Sequence, residues 1–254
     1  MADGSTPPEP ALPGFHVLIP ARYGSTRFPG KALADLAGKP MVVRVCERAA
    51  ASGARSVHVA TDDERIRQTV AAHGFGALMT SPGHASGTER IAEAASRLAL
   101  ADEDVIVNVQ GDEPLIDPAL ISEVAAELER QPEASVATAC HRIHDAASYA
   151  SPDVVKVALD ARGFALYFSR APIPYAREGG LPECHRHVGL YAYRGGFLAR
   201  YAALAPSPLE AIEQLEQLRV LWHGHRIAVL LTERNFARGV DTPQDLASVR
   251  KMLP

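Results

Sequence analysis

The stretch "FHVLIPARYGSTRFPGKAL", Phe15 to Leu33, sets an apolar run in front of a loop that carries two glycines, Gly24 and Gly30, and three cations, Arg22, Arg27 and Lys31. Beyond it, short apolar runs recur at 56–60, 104–109 and 135–140, and stretches of helical periodicity at about 39–52, 63–73, 87–99 and 117–130 separate them. That alternation predicts βαβ units around a mostly parallel sheet, an α/β fold. A loop that follows a parallel strand lies at the carboxyl edge of the sheet, where open α/β folds bind their ligands. A chain of formal net charge −4 that gathers cations at such an edge is arranged to meet something negative.

The loop is not a P-loop. Five residues separate Gly24 from Gly30 where that motif has four, and Ala32 stands where a Ser or Thr would hold magnesium; G-x-G-x-x-G is missing too. Its parts nevertheless suit a polyphosphate cradle: flexible glycines, free backbone N–H groups and the side chains of Arg22, Ser25, Arg27 and Lys31. The alternative is a solvated surface loop.

At 254 residues and 47% hydrophobic, the chain can bury a substantial core, and residues 15–254 show no linker or repeat, which predicts a single domain. Residues 1–14, with four prolines and no Lys or Arg, read as a disordered tail and lack the charged and apolar regions of a secretory signal. Mixed charge without a basic stripe argues against general nucleic-acid or membrane-surface binding. No run approaches the roughly 18 uncharged apolar residues that would suggest a membrane span. Cys46, Cys140 and Cys184 are widely spaced and odd in number, which fits a reducing cytoplasm better than a disulfide scaffold or zinc ribbon.

The second half changes style. "VVKVALDARGFALYFSR" reads as two strands around a turn at Asp160 to Gly163, and "RHVGLYAYR" as another strand, so an antiparallel appendage to the sheet is expected. "SPLEAIEQLEQLRVLWHG" reads as one helix, with Ser207 as N-cap, Pro208 at the first position and Glu210 completing a capping box. The strand "IAVLLT" and a helix opening at Thr242 and Pro243 close the chain.

Two acids suggest a metal. "DVIVNVQGDEPLI" brings Asp112 out of a strand at the same edge as the cationic loop, and "GVDTPQDL" sets Asp241 before the last helix; hard oxygen ligands of this kind suit Mg²⁺. For Asp241 an ordinary helix cap is the competing reading. "HASGTER", His84 to Arg90, is either a plain helix start or a nucleotide contact. "CHRH", Cys184 to His187, lacks zinc-ligand spacing, because neighbours on a strand face opposite ways. Glu213 and Glu216 could be solvent-facing charges, but Glu216 falls beside the apolar stripe Leu209, Ile212 and Leu215. Tyr191 and Tyr193 share a strand face, a common core pattern.

Taken in order, "PARYGSTRFPGK", "ATDD", "SGTER", "VNVQGDEP", "ALYFSRAPIPY", "RHVGLYAYR", "PLEAIEQLEQLRVL" and "GVDTPQDL" span residues 15–252, and the chain resembles the 3-deoxy-manno-octulosonate (Kdo) cytidylyltransferase family. The resemblance implies a Rossmann-like nucleotide-diphospho-sugar transferase fold, usually dimeric, that transfers CMP from CTP to the anomeric hydroxyl of Kdo and releases pyrophosphate for lipopolysaccharide synthesis. It implies that Arg22, Ser25, Arg27 and Lys31 hold the CTP phosphates, Ser86, Gly87, Thr88 and Arg90 lie by the nucleoside, and Asp112 and Asp241 bind Mg²⁺. Gln110, Arg170, Arg177, His187, Tyr191, Glu216 and Gln217 fall at the family's sugar-acid pocket. Arg22, Lys31, Asp112 and Asp241 would carry the catalysis, with no protein general base evident. Gly24 departs from the alanine of many relatives, and the segment from Ala176 to Arg186 looks shortened. A non-catalytic nucleotide-binding regulator would be expected to lack Asp112 or Asp241, and both are present.

Overall fold

In the computed structural model, residues 14–24, 28–234 and 239–253 are described; the tail expected at 1–14 lies outside them but for Gly14. In chain order, β1 (Phe15–Ala21) leads through a 3-10 turn at Lys31–Leu33 to the short β2 (Asp35–Leu36) and β3 (Lys39–Pro40), then α1 (Met41–Ala50), β4 (Ser56–Thr61), α2 (Glu64–Ala72) and β5 (Gly76–Met79). Next come α3 (Gly87–Arg97), β6 (Val105–Asn108), α4 (Pro118–Arg130), β7 (Ala134–Arg142) and α5 (Ala146–Ala150). The hairpin of β8 (Lys156–Leu159) and β9 (Ala165–Ser169) precedes β10 (His185–Arg194), α6 (Gly195–Tyr201), α7 (Pro208–Glu213), α8 (Gln217–Trp222), β11 (Arg226–Leu231) and α9 (Pro243–Arg250).

The large sheet runs β11-β7-β10-β6-β1-β4-β5, with β8 and β9 attached beside β10. β6, β1, β4 and β5 pair in parallel, as do β7 and β11. The antiparallel part is more than the expected appendage. The β8–β9 hairpin does hang from the sheet, but β10 runs through its middle, antiparallel to both β6 and β7. This places Tyr191 opposite Asn108, at the end of β6.

Both faces of the sheet are covered, which the alternation of side chains along β1 makes possible. Val17 and Ile19 face one way, into a core shared with α1, α2 and α4; Leu18 faces the other, with Ile91 of α3, Phe197 of α6 and Leu218 of α8. Amphipathic helices on both sides therefore leave only the sheet edges and strand ends for polar work.

The helix expected over the "SPLEAIEQLEQLRVLWHG" stretch is two. Its capping box is formed as read, with Ser207 Oγ accepting from the Glu210 N–H, but the helix stops at Glu213 and Gln214 turns left-handed at φ 53° before α8 begins. The apolar stripe fails for the same reason: Leu215 is buried, whereas Ile212 is 78% exposed. At β10 a bulge between Val188 and Tyr191 shifts the register against β7. The Thr138 hydroxyl lies 2.8 Å from the Leu190 carbonyl oxygen and 3.1 Å from that of Val188, so a side chain fills the gap in the ladder.

Candidate active site

A cleft opens at the carboxyl ends of β1 and β6 and has two halves. The first is walled by Arg22, Lys31, Ser86, Arg90, Asp112 and Asp241; the second by Thr88, Asn108, Tyr191, Tyr193, Tyr201 and Gln217; Gly87, Gln110 and Glu216 line both.

Local chemistry builds the first half. The loop after β1 is closed at its neck by the Gly30 N–H, which donates to the Tyr23 carbonyl at 2.9 Å. Gly30 sits at φ 73° with the Tyr23 ring over it, and the Arg65 guanidinium lies 3.5 Å from the centre of that ring. Lys31 follows directly, and its ammonium donates to Asp112 Oδ2 at 2.6 Å, to Asp241 Oδ1 at 3.2 Å and to the Val240 carbonyl at 3.2 Å. Two carboxylates from distant segments of the chain thus meet on one cation. Asp241 is not the cap of the last helix; Thr242 is, in a reciprocal capping box with Asp245. Arg22 is exposed on the cleft wall beside them.

Asp112 reaches this point because β6 ends in a tight passage. A Cβ on Gly111 would stand 2.8 Å from the Pro20 carbonyl oxygen, so only glycine lets the chain cross so near β1. The neighbouring Glu113 lines the second half, and burial, followed by the charge of Asp112, pushes its carboxyl up to about 8.

Across the cleft, Ser86 caps α3 by accepting from the Glu89 N–H at 3.2 Å, leaving Gly87 and Thr88 on the wall. Arg90 is 4% exposed and committed from behind to Asp62 at 2.8 Å and Thr80 at 2.7 Å. It therefore shapes the corner that it lines. Thr88 Oγ1 donates to Glu216 Oε2 at 3.0 Å, linking the start of α3 to the bend between α7 and α8. Glu216 is open to water in the cleft yet surrounded by protein, and this burial raises its carboxyl above the usual range, countered by the bonds from Thr88 and Ser86.

Two polar atoms in the second half have no partner among the described residues: Oδ1 of Asn108, which is 1% exposed, and Nε2 of Gln217, which is 7% exposed. Unmade hydrogen bonds at buried positions cost about 1–3 kcal/mol each, so a polar ligand has something to gain here.

The other expected residues are placed less directly. His187 stands behind Tyr191, ring centres 5.4 Å apart, with its Nε2 3.0 Å from the Thr138 hydroxyl; burial pushes its imidazole down to about 3. Arg170 is held by backbone, donating through Nε to the Glu213 carbonyl at 2.8 Å and through Nη1 to that of Pro152 at 3.0 Å, and it does not line the cleft. Arg177 is exposed and likewise away from the walls. Ser25 and Arg27 lie outside the described residues. Asn108, Glu113, Tyr193 and Tyr201 were missed as wall residues: the first two stand inside "VNVQGDEP" and could have been found from that strand end, whereas the two tyrosines arrive by packing.

No cluster of three or more His, Cys, Asp or Glu with metal-site geometry exists among the described residues. A pair of carboxylates that already attracts a cation, however, has the right donors for Mg²⁺, which takes one or two carboxylates and fills its other positions with phosphate and water.

Cations at the carboxyl edge of a doubly covered sheet, carboxylates that meet opposite them and a second polar chamber beyond define a nucleotide-handling α/β enzyme. The chain belongs to the cytidylyltransferase family, whose model matches residues 16–227. It is 57% identical to the 3-deoxy-manno-octulosonate cytidylyltransferase of Verminephrobacter eiseniae over 94% of each chain. Among solved structures it is similar to CMP:2-keto-3-deoxy-manno-octonic acid synthetase complexed with CTP, at a TM-score of 0.89 and 44% identity, covering 94% of this chain and 98% of that one.

Proposed function

We propose that this chain transfers CMP from CTP to the anomeric hydroxyl of Kdo, giving CMP-Kdo and pyrophosphate for lipopolysaccharide synthesis. The observation that carries the reading is the meeting of Lys31, Asp112 and Asp241 beside Arg22, at the mouth of a cleft that continues into the chamber of Tyr191, Glu216 and Gln217. A triphosphate and a polar acceptor need adjoining sites of this kind.

In this reading Arg22 and Lys31, completed by Ser25 and Arg27 of the same loop, hold the triphosphate by charge-assisted hydrogen bonds. Ser86, Gly87 and Thr88 lie by the nucleoside, with Arg90 supporting them from behind. Gln110, Tyr191, Glu216 and Gln217 orient the acceptor, and His187, kept neutral by burial, props Tyr191 from its far side. The acceptor oxygen attacks the α-phosphorus in line as the bond to the β-phosphate oxygen breaks, so positioning and charge neutralisation dominate the catalysis. Asp112 and Asp241 would hold Mg²⁺, which when bound would supply Lewis acidity for phosphoryl transfer. A homodimer is the expected working form. A cytoplasmic setting suits three buried, unpaired cysteines.

The test is pyrophosphate release by the purified chain with each of the four NTPs and Kdo, with and without Mg²⁺. Release with CTP, Kdo and Mg²⁺ together is expected; equal release with another nucleotide, or with CTP and no acceptor, would overturn the reading.

A further inference from the structure

The bend between α7 and α8 aims Glu216 and Gln217 into the cleft, yet the local sequence favours an unbroken helix. Gln214 makes the bend in a left-handed conformation, φ 53°, that L-residues with a Cβ disfavour. Something outside the segment must hold it. Glu213, the last residue of α7, is fastened to the end of β9 by three bonds. Its Oε1 accepts from the Ser169 hydroxyl at 2.5 Å, its Oε2 from the Arg170 N–H at 2.9 Å, and its carbonyl from Arg170 Nε at 2.8 Å. The anchor is itself fixed. Lys156, fully buried, donates to the Arg170 carbonyl at 2.6 Å and to the carbonyls of Val154 and Ser151 at 2.6 and 2.8 Å. Arg170 is thus gripped at its N–H by Glu213 and at its carbonyl by Lys156, and its peptides cannot follow α7 if the helix straightens.

We propose that Glu213 is a positioning residue for the acceptor half of the site: by tying the end of α7 to β9 it keeps Gln214 left-handed and so keeps Glu216 under Thr88 and Gln217 on the chamber wall. Glu213 itself does not line the cleft; it acts through the backbone. This rests on the reading of the second chamber as the Kdo site.

Three variants test it by steady-state kinetics. Glu213→Ala is expected to raise the Michaelis constant for Kdo about tenfold, moving that for CTP less than about threefold. Glu213→Gln keeps an acceptor for the Arg170 N–H and an amide that can donate to Ser169 Oγ, and should stay within about threefold of the parent for both substrates. Because Gln214 also lines the chamber, Gln214→Gly alone serves as the reference for adding it to Glu213→Ala: relative to that reference the double variant should lose at least about threefold less toward Kdo than Glu213→Ala loses relative to the parent, because glycine takes the left-handed turn without the Cβ penalty. Equal weakening toward both substrates, no change in Glu213→Ala, a Glu213→Gln variant as impaired as Glu213→Ala, or no recovery with glycine would each overturn the proposal. A parent inactive with Kdo but active with another acceptor would instead fail the functional reading, and the same variants could then be read against that acceptor.

Discussion

Replacing Lys31 by methionine should have opposite effects on the two ligands that meet at its ammonium. The side chain is 18% exposed and pairs with Asp112 at 2.6 Å and Asp241 at 3.2 Å, whose side chains are 29% and 43% exposed. A hydrogen bond between charged groups is worth about 1.5–3 kcal/mol, and water around the more open Asp241 reduces its share toward the 0.2–1 kcal/mol typical of exposed pairs. Together the two contacts amount to about 2 kcal/mol, or roughly thirtyfold in an equilibrium constant. In the nucleotide-free protein a divalent ion must displace this ammonium, so Lys31→Met should bind Mn²⁺ about tenfold to thirtyfold more tightly, followed by electron paramagnetic resonance of the free ion without nucleotide. Calorimetry should show the reverse for CTP, whose phosphates lose a cation: weaker by at least about tenfold. Metal affinity that is unchanged or reduced in the variant would refute the reasoning, since Lys31 would then not be holding the carboxylates against the ion.

Gly111→Ala places a Cβ 2.8 Å from the Pro20 carbonyl and should cost about 1–3 kcal/mol in a urea titration; a midpoint equal to the parent's would show that β1 and β6 can part at their ends. His187 is neutral in the folded chain, with its pKa lowered to about 3, so the unfolded chain binds the extra proton as pH falls through 6.5. This contribution to stability is complete above pH 6.5 and declines toward pH 3, and His187→Gln should flatten the acid-side loss of stability between pH 6.5 and 4 by up to about 1.4 kcal/mol per pH unit; an identical slope would show that another group controls it. Glu216→Ala should raise the Michaelis constant for Kdo about tenfold or more while shifting that for CTP less than about threefold, and equal shifts for both would assign Glu216 to the shared corner at Thr88.

The first half of the site was legible in part because Arg22 and Asp112 follow parallel strands that lie side by side. In an alternating chain, the residue after each parallel strand falls at the same edge, so Arg22 and Asp112 can be placed together from the periods of their neighbours alone. The capping box at Ser207 was legible for a similar reason, since it is completed within four residues, whereas the cap of the last helix fell on Thr242 and not on Asp241. The second half was less so. Its walls come from β10, α6 and the α7–α8 bend, and the reading of one continuous helix and of β10 as part of an appendage missed how they enclose it.

The sequence by itself determined the α/β alternation, the edge at which the ligand site lies and the sign of the charges gathered there, because these follow from side-chain period and from contacts within a turn or two. Only the tertiary structure decided that β10 lies between β6 and β7, that Lys31 sits between Asp112 and Asp241, and that α7 breaks at Gln214. The physical reason is separation along the chain. Local patterns weigh interactions between near neighbours, whereas the pairing of β10 with β6, the Lys31 to Asp241 contact and the hold of Ser169 and Arg170 on Glu213 join residues 43 to 210 positions apart. Such contacts exist only once the sheet has brought their segments together, and there they outweigh the local preference for a longer helix.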